Sequence, residues 1–410
     1  MTVGEAWIID TARSPRGVGK PGKGGLAHLH PQVVLGQVLE GLRQRAGFDP
    51  ADVDDVVCGN GSHAGDHAHD IGRMAVLDAG WPVSVPGVTL NRFCGSGQQA
   101  VTFAAMGVGA GHQDLVVGAG VESMSRPARN GTDGFHANNE HLLETHPQVP
   151  QGLSADLIAT LDGYTRVEVD ALGLESQGRA AAAIAEGRFD RSLVPIHNPD
   201  GTVALDHDEY PRPETTAEGL AALHPSFVKF MDASFEQTGL TMRELMAQKY
   251  PGVELHSVHH AGNSSGVVDG AGAVLVASPG YARAHGLTPR ARIVMSAVAA
   301  DEPLIMLTAP GPAANKCLQR AGMTVDDIDL FEVNEAFASV VLRFFRDTGA
   351  DPTTVNVNGG AIALGHPIGA TGAMLIGTLI DELERRDLQT GLVAMCTGGG
   401  MGTATIIERL

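Results

Sequence analysis

The chain has 410 residues, of which 43% are hydrophobic and 18% charged, and its formal net charge is −19. That length calls for two or three subdomains, and the acidity excludes nucleic acid as a bulk partner while leaving room for a local basic pocket that takes a phosphorylated ligand. No uncharged apolar stretch approaches the roughly 18 residues of a membrane-spanning helix, and four dispersed cysteines (Cys58, Cys94, Cys317, Cys396) suit a reducing cytoplasm better than a disulfide scaffold.

In chain order, a strand is predicted at Ala6–Asp10, with no basic leader before it and hence no export signal expected. A helical pattern then ends at Gln44-Arg45-Ala46-Gly47, crosses an acidic turn and enters the apolar strand Val56–Asn60. His63, Asp66, His67, His69 and Asp70 follow within eight positions. Zinc is one reading of them, but the ligand spacing does not repeat, so no metal is assigned.

A short strand over Val88–Leu90 leads into Asn91-Arg92-Phe93-Cys94-Gly95-Ser96-Gly97. Cys94 thus precedes a helix whose unpaired N–H groups and positive end favour thiolate over thiol. The glycines around it leave space for a bulky acyl group. A buried structural cysteine is the alternative. After the strand Leu115–Gly118 the texture changes over about 124–266, which is richer in His, Pro, Asn and Asp and carries a helical pattern at Leu174–Glu186 and a loop at Asp206–Thr216. This insertion is expected to lie over the site. Its Met231, Leu240, Met242, Leu245 and Met246 either pack a local helix, line an acyl channel or dock a partner, and His259-His260 are expected to contact backbone or substrate.

The chain then repeats itself. Gln319-Arg320-Ala321-Gly322 matches residues 44–47 at an offset of 275 (319 − 44), and Asp327-Ile328-Asp329 matches Asp52-Val53-Asp54 at the same offset (327 − 52). The second copy has a strand over Phe331–Asn334, and the Cys94 turn falls beside Gly365-His366-Pro367-Ile368-Gly369. His366 on that turn is a candidate base for the thiol, unless it is simply a surface-loop histidine. Leu392–Cys396 runs into Thr397-Gly398-Gly399-Gly400-Met401-Gly402, whose bare N–H groups suit an oxyanion. Asn334 closes its strand at the end where open α/β sheets place ligands. Duplicated halves of alternating strands and helices imply an α/β fold with largely parallel central strands.

Six ordered segments resemble the thiolase family over the whole chain: the Cys94 run, Gly120-Val121-Glu122-Ser123-Met124-Ser125, Ala261-Gly262-Asn263-Ser264-Ser265-Gly266, Asn334-Glu335-Ala336-Phe337, Gly365-His366-Pro367 and Cys396–Gly402. Asn334 separates the chain from related condensing enzymes and from sterol-carrier-type thiolases, which carry histidine there or nearby. The resemblance implies a thiolase fold: two duplicated βαβαβαββ halves in five αβαβα layers plus an inserted loop subdomain. The expected domains are 1–123 completed by 267–288, the insertion 124–266, and 289–410.

By the same resemblance Cys94 is acylated, His366 activates it, and Cys396 moves protons to the enolate and from incoming CoA. Asn334 holds a water that forms one oxyanion hole with His366, and the N–H groups of Cys94 and Gly398 form the other. Ser265, Met306 and Phe337 are expected along the pantetheine arm, and Arg212 at the nucleotide end. CoA is a substrate, and no cofactor or metal is implied. Ser154–Thr160, Leu205–Tyr210 and the terminal Met401–Leu410 resemble the thiolase subunit of bacterial fatty-acid-oxidation complexes. The expected activity is therefore a degradative 3-ketoacyl-CoA thiolase. An acetyl-CoA C-acetyltransferase is the alternative, and a non-catalytic acyl-CoA-binding scaffold a third reading. A homodimer or dimer of dimers, a hydratase/dehydrogenase partner subunit and a cytoplasmic location complete these expectations.

Overall fold

The computed structural model describes residues 4–126, 135, 139–234 and 239–410. Among them, one sheet runs in the spatial order Leu330–Val333, Thr390–Thr397, Met401–Arg409, Ala291–Ala300, Trp7–Arg13, Val268–Ala277, Leu115–Ser123, Asp55–Gly59, Gly87–Leu90. The short strand Gly17–Val18 also pairs with Val268–Ala277.

This sheet is one pattern used twice. In the first half the strands Trp7–Arg13, Asp55–Gly59, Gly87–Leu90, Leu115–Ser123 and Val268–Ala277 stand in the order third, second, fourth, fifth, first. The second half repeats that order with Ala291–Ala300, Leu330–Val333, a parallel bridge from Phe331 to Val355 in place of the third strand, Thr390–Thr397 and Met401–Arg409. In both, the inner strands are parallel and the last strand antiparallel. The halves join where Trp7 meets Arg292 and Ile8 meets Ala291.

Helices make the remaining layers. Pro31–Ala46 and Ile71–Asp78 cover the outer face of the first half, and Pro310–Ala321 with Ala338–Thr348 the outer face of the second. Ser96–Gly109 and Thr371–Arg386 pack against each other between the half-sheets, which gives the five αβαβα layers of a thiolase fold. Each layer boundary is apolar: Leu35, Leu39, Val56 and Leu275 fill the first, Val101, Ala104, Ile376, Ile380 and Val393 the middle, Phe331, Phe344 and Leu392 the last. Burial of such side chains contributes about 1.5–3 kcal/mol each before the entropy of ordering them is counted.

The repeat is visible at the helix ends. Gly47 (φ 73°) and Gly322 (φ 69°) both cap their helices in the left-handed region, where a side chain is disfavoured, and a 3-10 turn follows each. The longest elements of the insertion are the helices Gln151–Asp162 and Arg166–Ala185, packed on the second half. The latter helix starts eight residues before the predicted Leu174, because Thr165 and Glu168 form a capping box that fixes its beginning. The first strand likewise runs to Arg13, beyond the predicted Asp10, because its pairing with Val268–Ala277 continues.

Candidate active site

The Cys94 turn is held by its neighbours. The Asn91 side chain accepts from the Phe93 N–H (2.7 Å), while Ser96 Oγ accepts from the Arg92 N–H (2.9 Å) and donates to the Phe93 carbonyl (2.6 Å). These bonds keep Phe93 in the left-handed region at φ 48°, a conformation that costs energy for an aromatic residue. Cys94 follows it directly, and Gly95 caps the helix Ser96–Gly109. Cys94 is 4% exposed. The Gln151 side chain and the backbone N–H groups of Gly398 and Cys94 lie near enough to its sulfur to favour the thiolate.

One expectation is corrected here. Desolvation pushes the Cys94 pKa up to about 11; the Gln151 and Gly398 donors pull it down, and Glu122 adds to the rise. Burial outweighs the helix end, so the resting group is a thiol.

His366 is also buried, and its backbone N–H donates to the Gly266 carbonyl (2.8 Å). Its Nδ1 lies 2.6 Å from Thr371 Oγ1, and that hydroxyl donates its one proton to the Pro367 carbonyl (2.9 Å). Nδ1 must therefore carry the hydrogen, which makes Nε2 the nitrogen with the lone pair. Asn334 Nδ2 lies 3.4 Å from that Nε2, and Asn334 Oδ1 is buried with no protein partner. Burial, and then the nearby Arg16 cation, lower the His366 pKa to about 3. At neutral pH the imidazole is an uncharged base.

Cys396 is the last residue but one of the strand Thr390–Thr397 and is fully buried; burial, then Cys94 beside it, raise its pKa. The chain turns back through Gly399 and Gly400, both at positive φ, into Met401–Arg409, with the Gly398 N–H near enough to Cys94 to lower its pKa. The two central helices bring the loops together: a Cβ on Gly97 would lie 2.7 Å from the Gly369 carbonyl oxygen, and one on Gly372 would lie 2.2 Å from the Gln98 nitrogen. Cys94 thus lies near Cys396 and Gly398, while His366 and Asn334 pair in the second half, with the loop after His366 packed at Gly369 on the start of the Cys94 helix.

The candidate CoA contacts divide. Met306 and Phe337 are buried in the apolar cluster that holds Cys396. Ser265 is half-buried on the adjoining loop, its N–H donating to the Ala336 carbonyl (2.9 Å). Arg212 stands apart at a separate cavity of about 230 Å³ lined also by Gln177, Tyr210, Thr215, Ala261 and Gly262, and it is exposed. Its guanidinium lies 5.5 Å from the centre of the Tyr210 ring. Ala261 and Gly262 connect that cavity to the Ser265 loop.

The remaining candidates take structural places. His259 and His260 contact backbone as expected, Nε2 of the first accepting the Ser339 N–H (3.4 Å) and Nδ1 of the second the Gly262 N–H (3.0 Å), while their other nitrogens pair with carboxylates, 2.7 Å from Asp156 and 2.8 Å from Asp170. In the His63–Asp70 stretch, Asp70 caps the helix Ile71–Asp78, Asp66 pairs with Arg126, and His67 accepts the Ser123 N–H (2.9 Å). Met231, Met242, Leu245 and Met246 are buried in the Cys396 cluster, with Leu240 packed against it. Sequence reasoning misses Gln151, for which no local pattern exists. It also assigns no role to Glu122, although that residue lies within a family motif. In the structure Glu122 Oε2 accepts the N–H groups of Gly61 (2.8 Å) and Gly369 (3.0 Å), tying the two halves at the site.

With this geometry, comparison with known proteins is direct. The family model described as "Thiolase, N-terminal domain" matches residues 6–230 and "Thiolase, C-terminal domain" matches 287–409. The chain is 40% identical over 417 residues to the steroid 3-ketoacyl-CoA thiolase FadA6 of Mycobacterium tuberculosis, covering 99% of this chain and 94% of that protein. It is 38% identical over 418 residues to the acetyl-CoA acetyltransferase of Allochromatium vinosum, covering 98% of each. The crystal structure of human mitochondrial 3-ketoacyl-CoA thiolase in complex with CoA superposes with a TM-score of 0.85 at 32% identity, covering 100% of this chain and 99% of that one.

Proposed function

The chain belongs to the thiolase family of acyltransferases, and from that premise we propose that it is a degradative 3-ketoacyl-CoA thiolase, which cleaves its substrate with CoA into acetyl-CoA and an acyl-CoA shortened by two carbons. The observation that carries this reading is the buried Cys94 sulfur near the Gly398 N–H, with the second buried thiol of Cys396 beside it. Carbon–carbon cleavage through an acyl-enzyme needs both a covalent carrier and a separate proton carrier, and two cysteines supply them.

In this reading His366 Nε2 takes the Cys94 proton as the substrate arrives, and the thiolate attacks the 3-keto carbon. The C2–C3 bond then breaks, its electron pair leaves as the acetyl-CoA enolate, and the Cys396 thiol protonates C2. The Cys396 thiolate next removes the thiol proton of the incoming CoA, whose sulfur attacks the Cys94 thioester and returns the proton balance to its start. The buried Asn334 Oδ1, which has no protein partner, has the lone pairs needed to hold a water. That water and His366 would bind one carbonyl oxygen, and the N–H groups of Cys94 and Gly398 the other. Met306, Phe337 and Ser265 would follow the pantetheine arm, with Arg212 near the nucleotide.

Acetyl-CoA C-acetyltransferase activity uses the same steps, and relatives carrying that name make it the second reading. Association into a homodimer or dimer of dimers is supported by the open edge of Gly87–Leu90 beside exposed Val88, Phe103 and Met106. A hydratase/dehydrogenase partner and a cytoplasmic setting rest on the family resemblance and on four free, buried cysteines. No helix among the described residues is long and apolar enough to cross a membrane.

The test is Cys94→Ala. Thiolysis of 3-ketoacyl-CoAs should fall by about a thousandfold or more while CoA still binds. Unchanged turnover would remove Cys94 from the mechanism, and turnover of acetoacetyl-CoA alone among substrates of increasing length would favour the second reading.

A further inference from the structure

Asp208 and Glu209 fasten the loop that carries Arg212 to the first half of the fold. The Asp208 side chain is 3% exposed and takes a paired contact from Arg13, Nη1 to Oδ1 and Nη2 to Oδ2, both at 2.9 Å. Its Oδ1 also accepts the Arg16 N–H (2.8 Å), and Arg16 Nη1 lies 3.8 Å from Oδ2. Glu209 Oε2 accepts the N–H groups of Val18 (2.8 Å) and Gly25 (3.0 Å), while the Glu209 N–H donates to the Arg16 carbonyl (3.0 Å). Charge-assisted bonds are strong, and a two-pronged pair adds direction, so these two residues are fixed in place and orientation.

The residues that follow inherit that placement. Tyr210 lies against the Ser265 loop, so close that a Cβ on Gly266 would be 2.3 Å from its ring. The Arg212 N–H donates to Gln177 Oε1 (2.8 Å), which holds the loop from the helix Arg166–Ala185. The Arg212 guanidinium, 5.5 Å from the centre of the Tyr210 ring, shares with it the lining of the 230 Å³ cavity. An aromatic face holds a cation without neutralising it, so the guanidinium stays available to phosphate. A side chain already held in place loses less freedom when its ligand arrives.

We infer that Asp208 is a positioning residue for CoA, which through Tyr210 sets Arg212 to meet the phosphate groups of the nucleotide end. The inference rests on the thiolase reading above and deepens it, because that reading places Arg212 near the nucleotide but gives it no support.

Thiolysis of acetoacetyl-CoA by the intact protein with two thiols tests this: CoA, and pantetheine, which lacks the nucleotide. With acetoacetyl-CoA saturating, kcat/KM for the thiol reports its capture by the acyl-enzyme. The native protein should prefer CoA by about tenfold or more. Asp208→Asn should lower that CoA-to-pantetheine ratio by about three- to tenfold, the effect of freeing one long side chain. Arg212→Ala should lower it at least as far. Adding Asp208→Asn to Arg212→Ala should then change it by less than about twofold, because the two residues act through one group. If Asp208→Asn does not fold, Glu209→Ala, alone and with Arg212→Ala, gives the same readout. A native protein without preference for CoA, an equal loss with both thiols, or effects that multiply in the double variant overturn the inference but leave the thiolase reading standing. Failure of the native protein to cleave acetoacetyl-CoA or a longer 3-ketoacyl-CoA with either thiol overturns both.

Discussion

A single carboxylate oxygen of Glu122 accepts the N–H of Gly369 at 3.0 Å, so a residue from the first half holds the loop that carries His366 in the second. Burial raises the Glu122 pKa, and its other oxygen has no hydrogen-bond partner, with His67 Nε2 4.0 Å away. Glu122→Gln keeps an oxygen for both N–H groups and places its NH2 toward that imidazole, so stability should change little. Glu122→Leu leaves the Gly61 and Gly369 N–H groups unpaired and should cost on the order of 1–3 kcal/mol for each. Denaturant unfolding of the two variants checks this; equal stability would show that the bridge does not matter.

Acid should weaken the fold partly through His366. Its folded pKa, about 3, lies below the unfolded value of 6.5. Between those values the unfolded chain binds the extra proton, so this contribution is complete above about pH 6.5 and is lost as pH falls toward 3. His366→Asn cannot take up that proton and should show a shallower fall in Tm from pH 7 to 4. Parallel Tm curves for the two proteins would contradict the buried neutral imidazole.

The resting thiol makes a kinetic prediction. With Cys94 titrating at about 11, its alkylation by iodoacetamide in the free protein should rise about tenfold per pH unit from pH 7 to 9. Mass spectrometry of the modified peptide separates Cys94 from Cys396. A rate already level at pH 7 would mean that a thiolate–imidazolium pair exists before substrate binds.

Gly372→Ala tests the contact between the central helices. The added Cβ would lie 2.2 Å from the Gln98 backbone nitrogen, and backbone cannot move aside as a flexible side chain can. The loss should be about 3 kcal/mol or more, accompanied by reduced turnover because both site loops ride on these helices. A stable, active variant would show that the helices can separate freely.

Arg212→Ala should raise KM for CoA by about tenfold and leave kcat within about twofold, since the side chain lies away from the reacting cysteines. Steady-state kinetics with CoA varied decides; an unchanged KM would place the nucleotide elsewhere.

The duplication is legible in the sequence to the residue: the central helices start at Ser96 and Thr371 and the following strands at Leu115 and Thr390, each pair 275 apart (371 − 96, 390 − 115). Helix ends are local chemistry, and Gly47, Gly322 and Thr165 announce theirs. The sequence cannot announce Gln151 beside Cys94, because that contact depends on how the insertion packs. Local reasoning also misjudges the state of Cys94. A helix start is visible in a motif, whereas the desolvation that outweighs it comes from the whole surrounding core. The partners of His259 and His260 are hidden for the same reason, since Asp156 and Asp170 lie far back in the chain.

The strand Val268–Ala277 sits between Trp7–Arg13 and Leu115–Ser123, yet it is synthesised last of the three, after the entire insertion. While the chain emerges from the ribosome, those two early strands must wait with their inner edges unpaired. Exposed edges of this kind recruit other chains, so the newly made protein is most open to mispairing before residue 277 is out. Fusing or truncating the chain ahead of that point would make the vulnerability permanent.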